Sequence, residues 1–309
     1  MNDAYFTQIG ERPDLAAIEV NAPEGYIGSK IIPTVPVMDK SGTIYYATLT
    51  ADAAAQTGRS AATAPTATQI SDSSTTFTTA EAVKRAGITP DEAKQMGGID
   101  KADEVGTKWA KRQVLNAKEE SIATSFMDGA ADNNFDPAKL QTDVQVALQA
   151  IRLYHGRTAL VTSTKTVKAM VQGILADATH GPVLARLITG SSPGIAATGL
   201  NLEAWVNALA LWLGVDEVLA GDDTVWNAAA RVGRFAIVKL DDTNDPLSHK
   251  YLPVLGKTYQ FLPDGMNDWL IQTNANRDTV NNTYDAFLWY DVVILNTGGY
   301  YLFDGVLDA

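Results

Sequence analysis

The chain has 309 residues, no Cys, a formal charge of −12 and an apolar fraction of 46%. That length holds one large domain or two joined ones, and the missing Cys excludes a disulfide scaffold and thiolate metal sites. The acidity disfavours tight nucleic-acid binding, which relies on Lys and Arg displacing counterions from phosphates.

Residues 1–26 read as an extended arm that mixes Gly10, Pro13, Pro23 and Gly25 with charges, with a short helical hint over 14–20. The start, MNDAYFTQIGERPD, has no basic-then-apolar order, so no signal peptide is expected. Ile31, Ile32, Val35 and Val37, set among Pro33 and Pro36, suggest an extended edge segment, since Pro cannot donate to a ladder. Asp39-Lys40-Ser41-Gly42 is a turn signal, and 43–49 alternates as a strand. Over 41–80, 26 of the 40 residues are Ala, Thr or Ser, and only Asp52, Arg59 and Asp72 are charged. Few large apolar residues remain, so this stretch is expected to lack a core of its own. It reads either as disordered or as a long hairpin that gains order on another surface, and its low charge favours the hairpin.

Residues 79–95 read as short helix and turn, broken at Gly87 and Pro90. The longest helical stretch is 99–128, roughly 40 Å at about 1.5 Å per residue. Asp100 is its expected cap, Glu104 and Lys108 an ion pair one turn apart, and Gly129 a left-handed terminator. Val105, Trp109, Leu115, Ile122, Phe126 and Met127 fall on one side, which Lys108, Arg112 and Glu119 interrupt; Val114 points away. So ragged a face suits a beam touching several surfaces, other subunits included. A second helix starts at Asp136-Pro137, carries Leu140, Val144, Ala147, Leu148, Ile151 and Tyr154, and ends at Gly156. A buried strand at 159–163, a helix bearing Val167, Met170 and Val171, and a helix over 201–213 closed by Gly214 follow. Strands are expected at 215–220, 234–240, 251–255 and 257–262. The end alternates as a β ribbon: TYDAFLWYDVVIL, a turn at 296–299, then YYLFDGVL. The longest apolar run, around 208–215, is too short to span a bilayer, so no membrane contact is expected.

The search for chemistry yields no catalytic, cofactor or metal residue. His155, His180 and His249 are far apart in sequence, without metal-type spacing; His155 reads as a structural residue at a helix C-terminus. Gly190-Ser191-Ser192-Pro193-Gly194 fits G-x-S-x-G, but the residue after the serine must donate a backbone N–H, and Pro193 has none; a surface loop is the better reading. The oxygen-rich run Asp241-Asp242-Thr243-Asn244-Asp245 lacks the glycine and distal Glu of a calcium loop and reads as a solvated turn. The six Trp, at 109, 205, 212, 226, 269 and 289, are scattered through core-like segments.

The order of the parts resembles the major capsid proteins of tailed bacteriophages, which share the Hong Kong 97 fold. The most specific stretch is GYIGSKIIPTVPVMDKSGTIYYA. A low-complexity hairpin follows, then a long helix with Trp109, Val114, Leu115, Lys118 and Glu119 at the family spacing. Gly156-Arg157-Thr158 after the second helix and the late Gly256 to Tyr259 also fit. The resemblance implies an α+β fold with an N-terminal arm and first strand (1–37) and an extended loop lying on a neighbour (38–80). It implies a peripheral domain (81–158 and 277–309) with spine helix 99–128, and an axial domain (159–276). It further implies a non-enzymatic shell protein assembling through hexamers and pentamers around phage double-stranded DNA, located in the virion and assembled in the host cytoplasm. Scaffolding, portal and decoration proteins would be its other partners. Some relatives weld the shell from a lysine in the extended loop; no Lys lies between Lys40 and Lys84, so no such weld is expected. A long charged N-terminal region is also missing, so any scaffold is a separate protein or already cleaved off. The alternatives are an encapsulin-like compartment with the same fold, and a small-molecule-binding α/β enzyme around 159–200.

Overall fold

The computed structural model describes residues 10–11, 13–20, 25–49, 70–189, 202–243, 245–262, 269–276 and 281–306. The chain opens with β1 (Gly10–Glu11), α1 (Pro13–Ala16), α2 (Gly28–Ile31), β2 (Thr34–Val37) and the hairpin β3 (Ser41–Leu49) and β4 (Ile70–Thr78). Next come β5 (Ala80–Ile88), α3 (Pro90–Gln95), α4 (Ile99–Met127), β6 (Asn133–Asn134), α5 (Leu140–Ile151) and β7 (Arg157–Ser163). Then follow α6 (Thr164–Ala176), α7 (Gly181–Thr189), α8 (Leu202–Leu213), β8 (Glu217–Gly221), α9 (Asp223–Trp226) and β9 (Phe235–Leu240). The chain closes with β10 (Gly256–Phe261), β11 (Leu270–Asn276), β12 (Asn281–Ile294) and β13 (Tyr300–Asp304).

β12 is the axis of the larger sheet. One of its edges pairs with β5, from Asn282↔Ile88 to Tyr290↔Ala80. Its other edge pairs with β11 and then β10, laid end to end. β1 joins the outside of β11, and β2 runs parallel to β10. β2 is thus the edge segment that Pro33 and Pro36 foretold. The second sheet has the order β6-β13-β9-β7-β8. One of its faces packs on α5, α6, α7 and α8 through residues such as Val144, Met170, Leu184 and Leu209. The opposite face meets α2, α9 and the end of α4.

α4 is 29 residues long and serves two cores. Ala102, Ala110 and Val114 pack on the β12 sheet. Ile122, Ala123, Phe126 and Met127 pack on the second sheet. A straight helix that changes partner halfway cannot keep one apolar stripe. The first half is buried through small residues, and the sheet comes close: a Cβ on Gly106 would sit 2.3 Å from Tyr284 Cδ2. The Tyr284 hydroxyl donates to Asp103 Oδ1 at 2.7 Å. Val105 and Trp109, expected on the core side, are therefore turned outward, 43% and 53% exposed, while Val114 is buried.

Other expectations also change. Ala80–Ile88, read as helix and turn, is a strand, because β12 supplies a ladder for all nine of its residues. Gly98, at φ +122°, precedes the first turn of α4 in place of Asp100. Gly129 is not left-handed; the helix end is closed by Arg234, whose Nη1 donates to the carbonyls of Met127 at 2.8 Å and Gly129 at 2.7 Å. α5 begins at Leu140, after a turn in which Asp136 Oδ1 accepts the Ala138 N–H at 3.0 Å. Residues 251–255 form turn and coil instead of a strand, and α7 was not anticipated. Gly156, at φ +110°, ends its segment as expected; a Cβ there would lie 1.7 Å from Leu240 O. The Glu104–Lys108 pair forms at 2.6 Å.

Gly106→Ala separates intrinsic propensity from packing. Alanine improves an isolated helix by about 1 kcal/mol, while overpacking costs about 1–3 kcal/mol. A lower melting temperature by calorimetry is the expected result; an unchanged or higher one would refute the close helix–sheet contact.

Candidate functional site

The residues that sequence reading singled out for chemistry do not converge. Positions 190–194 lie outside the described residues. His180 Nδ1 pairs with Asp177 Oδ1 at 3.0 Å, and its ring packs edge-on against Trp212. His249 is buried edge-on against Tyr259, with Nδ1 3.2 Å from Pro246 O. Burial, then the nearby Lys257 charge, push its pKa down. His155 sits beyond the end of α5, where Nε2 faces Asp242 Oδ1 at 3.5 Å.

His155, Asp241 and Asp242 are the one group among the described residues with metal-compatible spacing. Its carboxylates already have cations. Asp241 Oδ2 accepts from Lys257 Nζ at 2.5 Å and Ser248 Oγ at 2.7 Å, while Oδ1 accepts from the Thr243 N–H and hydroxyl. Arg157 lies 3.8 Å from Asp242. Burial raises the Asp241 carboxyl pKa, but the donors from Lys257, Thr243 and Ser248 outweigh it and hold the pKa below the ordinary carboxylate value. The oxygen-rich turn thus folds onto its own side chains and onto Lys257.

The residues with the most elaborate surroundings lie on α4 and fasten other segments to it. Lys111 is buried; its ammonium donates to the carbonyls of Ala16 and Ile18, each at 2.8 Å, and lies 5.3 Å from the Trp269 ring centre. Glu119 is buried one face further along. Its Oε1 accepts the Ile27 N–H at 2.8 Å, the Gly28 N–H at 2.9 Å and the Trp226 indole N–H at 2.9 Å. A Cβ on Gly28 would lie 2.5 Å from Glu119 Oε2. Lys118 reaches Thr34 Oγ1 at 2.9 Å and Gln260 Oε1 at 3.2 Å. The buried Arg231 guanidinium bridges Asp128 at 2.9 Å, Thr124 at 3.0 Å and Glu120 from the loop before β9. Of the charges that interrupt the helix face, Glu119 is a clamp within the chain, whereas Lys108 pairs with Glu104 on the same helix and Arg112 is exposed. No sequence signal distinguished Lys111, buried, from Lys108, half-exposed.

The hairpin also finds partners in its own chain at its base. Ile44 and Phe77 are buried with Val35, Val254, Tyr259 and Leu295. Phe77 stacks on Tyr259 with ring centres 4.9 Å apart, and Lys40 lies 5.5 Å from the Phe261 and Trp289 rings. The Thr78 N–H donates to Asp291 Oδ2 at 2.8 Å, and Asn296 Nδ2 donates to Ala47 O at 3.2 Å. The base of the hairpin thus gains its order on another surface, here that of its own chain: Ile44 and Phe77, two of its few large apolar residues, meet one another and the sheet. Residues 50–69 lie outside the described residues.

No family model and no curated protein matches the sequence. Solved structures do. A phage-related protein from Bordetella bronchiseptica RB50 is 18% identical, with 98% of this chain and 100% of that one covered, at TM-score 0.63. The capsid of a native GTA particle is 12% identical, covers 93% and 91% and has TM-score 0.52. The holo-SrpI encapsulin complex of Synechococcus elongatus PCC 7942 is 8% identical, covers 99% and 97% and has TM-score 0.51. The chain has the Hong Kong 97 type of capsid fold, the α+β architecture that the resemblance implied.

Burial raises the Glu119 pKa, against the pull of the Ile27, Trp226 and Gly28 donors and the Lys118 charge. A carboxyl raised on folding adds stability that is fully present below its unfolded value and is lost as pH climbs through the folded one. Glu119→Gln has no such term. Lowering the pH from neutrality toward 4.5, the carboxyl's ordinary value, is expected to raise the melting temperature of the wild type relative to the variant. A difference independent of pH would refute a buried, ionisable Glu119.

Proposed function

We propose that the chain is a structural shell protein whose activity is its own polymerisation, through hexamers and pentamers, into a closed icosahedral head around double-stranded phage DNA. The observation that carries this reading is end-to-end correspondence: 93% of this chain matches 91% of the GTA capsid chain, so almost nothing is left over for a further activity. The lack of converging catalytic groups among the described residues favours a structural role over the small-molecule enzyme.

On this reading 1–37 is the arm with the first strand and 38–80 the extended loop. Residues 81–158 and 277–309, with α4 as spine, form the peripheral domain, and 159–276 the axial domain. Its last strand, β13, is lent to the axial sheet through β9. The partners are copies of the chain, with separate scaffolding, portal and decoration proteins. DNA is touched weakly and without sequence preference, in keeping with the charge of −12. The virion is the location, with assembly in the host cytoplasm. An encapsulin-like compartment is the second reading, favoured by the match to the SrpI shell over 99% of this chain.

Sedimentation of the purified protein is expected to give capsomers or megadalton particles; a stable species of one to a few subunits would refute both shell readings. Nuclease-resistant DNA of uniform length in particles from the native host supports the phage head, and a co-purifying enzyme supports the compartment. Boiling the particles in detergent is expected to release single chains, because no Lys lies between Lys40 and Lys84. Ladders of linked chains would overturn the noncovalent shell.

A further inference from the structure

The joint under the hairpin base encloses a titratable side chain that the shell reading does not use. Phe77 of β4 stacks on the Tyr259 ring, and His249 meets the same ring edge-on, with ring centres 6.1 Å apart. The turn that carries His249, Ser248–Lys250, also packs against β3. His249 is only 3% exposed. The hairpin base therefore rests on Tyr259 and on this turn, and the imidazole is shut in with them.

The surroundings offer an imidazolium no free counter-charge. Asp241, at the end of β9, is already engaged: Oδ2 accepts from Lys257 Nζ and Ser248 Oγ, and Oδ1 accepts from Thr243. Lys257 on β10 and Lys250 on the turn itself both oppose a further positive charge. Asp245, half-exposed, accepts from the Tyr251 hydroxyl and the Leu247 N–H. On the hairpin, β3 has no charged residue, and Asp72, the one on β4, is exposed. The ring's own hydrogen bond, from Nδ1 to Pro246 O at 3.2 Å, stays within the turn and would move with it.

We propose that the Ser248–Lys250 turn is a proton-operated latch: once His249 is protonated, the turn leaves its seat under β3 and frees the hairpin base from the sheet. The device lies within one subunit, so it goes beyond the shell reading and holds whether or not the chain assembles. Imidazole is the side chain whose charge ordinarily changes between about pH 5 and 8. Ile44, Phe77 and Asn296, the other side chains that seat the base, have no charge to change. Burial, then Lys257, hold the imidazole below its ordinary value of 6.5, against the pulls of the Pro246 carbonyl and Asp241. A histidine depressed on folding supports the closed joint fully above its free value and loses that support as pH falls through the folded one. Across that window the opening equilibrium rises by up to about tenfold per pH unit. The Tyr259 hydroxyl, buried without a hydrogen-bond partner among the described residues, weakens the closed state further, since opening lets it reach water.

Hydrogen exchange of the full chain, read by mass spectrometry and corrected for the intrinsic pH dependence of exchange, is the test. Between pH 7.5 and 5.0, protection of the Lys250 and Leu252 amides, which close the turn onto Leu247 and Ser248, is expected to fall about tenfold, together with that of the Thr78 amide. Amides of β7, in the second sheet, are expected to keep theirs. His249→Phe retains a ring against Tyr259 and takes up no proton, so its turn is expected to be equally protected at both pH values. Equal protection of the wild type at both pH values overturns the proposal, and so does a loss in His249→Phe that matches the wild type. Exchange of the His249 ring C2 proton, followed by mass spectrometry, gives the pKa in the wild type even where the variant fails to fold. A value below 6.5 is expected, and one at or above 6.5 overturns the latch.

Discussion

The structure depends on a single helix being shared by two hydrophobic cores. α4 lies on the β12 sheet through Ala102, Ala110 and Val114 and on the second sheet through Ile122, Phe126 and Met127. Lys111 stands within the first set and Glu119 between the two, both buried, each with partners from the N-terminal segment. A buried charge is tolerated only when its hydrogen-bonding capacity is filled. Lys111 is filled by two carbonyls and an indole face, and Glu119 by three N–H donors. The cost of burying these charges thus ties Ala16, Ile18, Ile27 and Gly28 to the helix. Removing either side chain would leave backbone groups of the arm without partners, so arm and helix specify each other.

The sequence carried the parts whose signal is local. The turn at Asp39 to Gly42, the alternation of the closing ribbon and the Glu104–Lys108 pair each depend on neighbours a few residues apart. What stayed hidden depends on partners far along the chain. The strand Ala80–Ile88 has weak propensity of its own and exists because β12, some 200 residues later, offers it a complete ladder. The outward side of α4 was misassigned because size was taken as the sign of burial. Over Ala102, Gly106 and Ala110 smallness is the sign, since Tyr284 occupies the space that larger residues would need. The clamp at Glu119 was legible only as a position in a family-like pattern, because nothing local tells an acid that accepts three N–H groups from one that faces water.

The hairpin shows how far a composition argument extends. Its shortage of large apolar residues leaves it without a core of its own, and Ile44 and Phe77 suffice to seat its base against Tyr259 and Leu295 of the rest of the chain. Composition over forty residues averages a seated base with a small-residue end, and these have different needs. The base must hold its direction, which the Phe77–Tyr259 stack and the Asn296 and Asp291 hydrogen bonds provide.

Charge gives the small-residue end its own logic. A subunit carrying −12 repels a second copy, and the repulsion is largest where charged segments would be pressed together in low dielectric. Residues 41–80 hold only Asp52, Arg59 and Asp72, in a chain that is 19% charged. They are therefore a part of this molecule that can lie against an acidic neighbour with little Coulombic penalty. The feature that made the stretch look poor as a structure, its lack of both charge and bulk, is what lowers the Coulombic cost of laying it against an acidic surface.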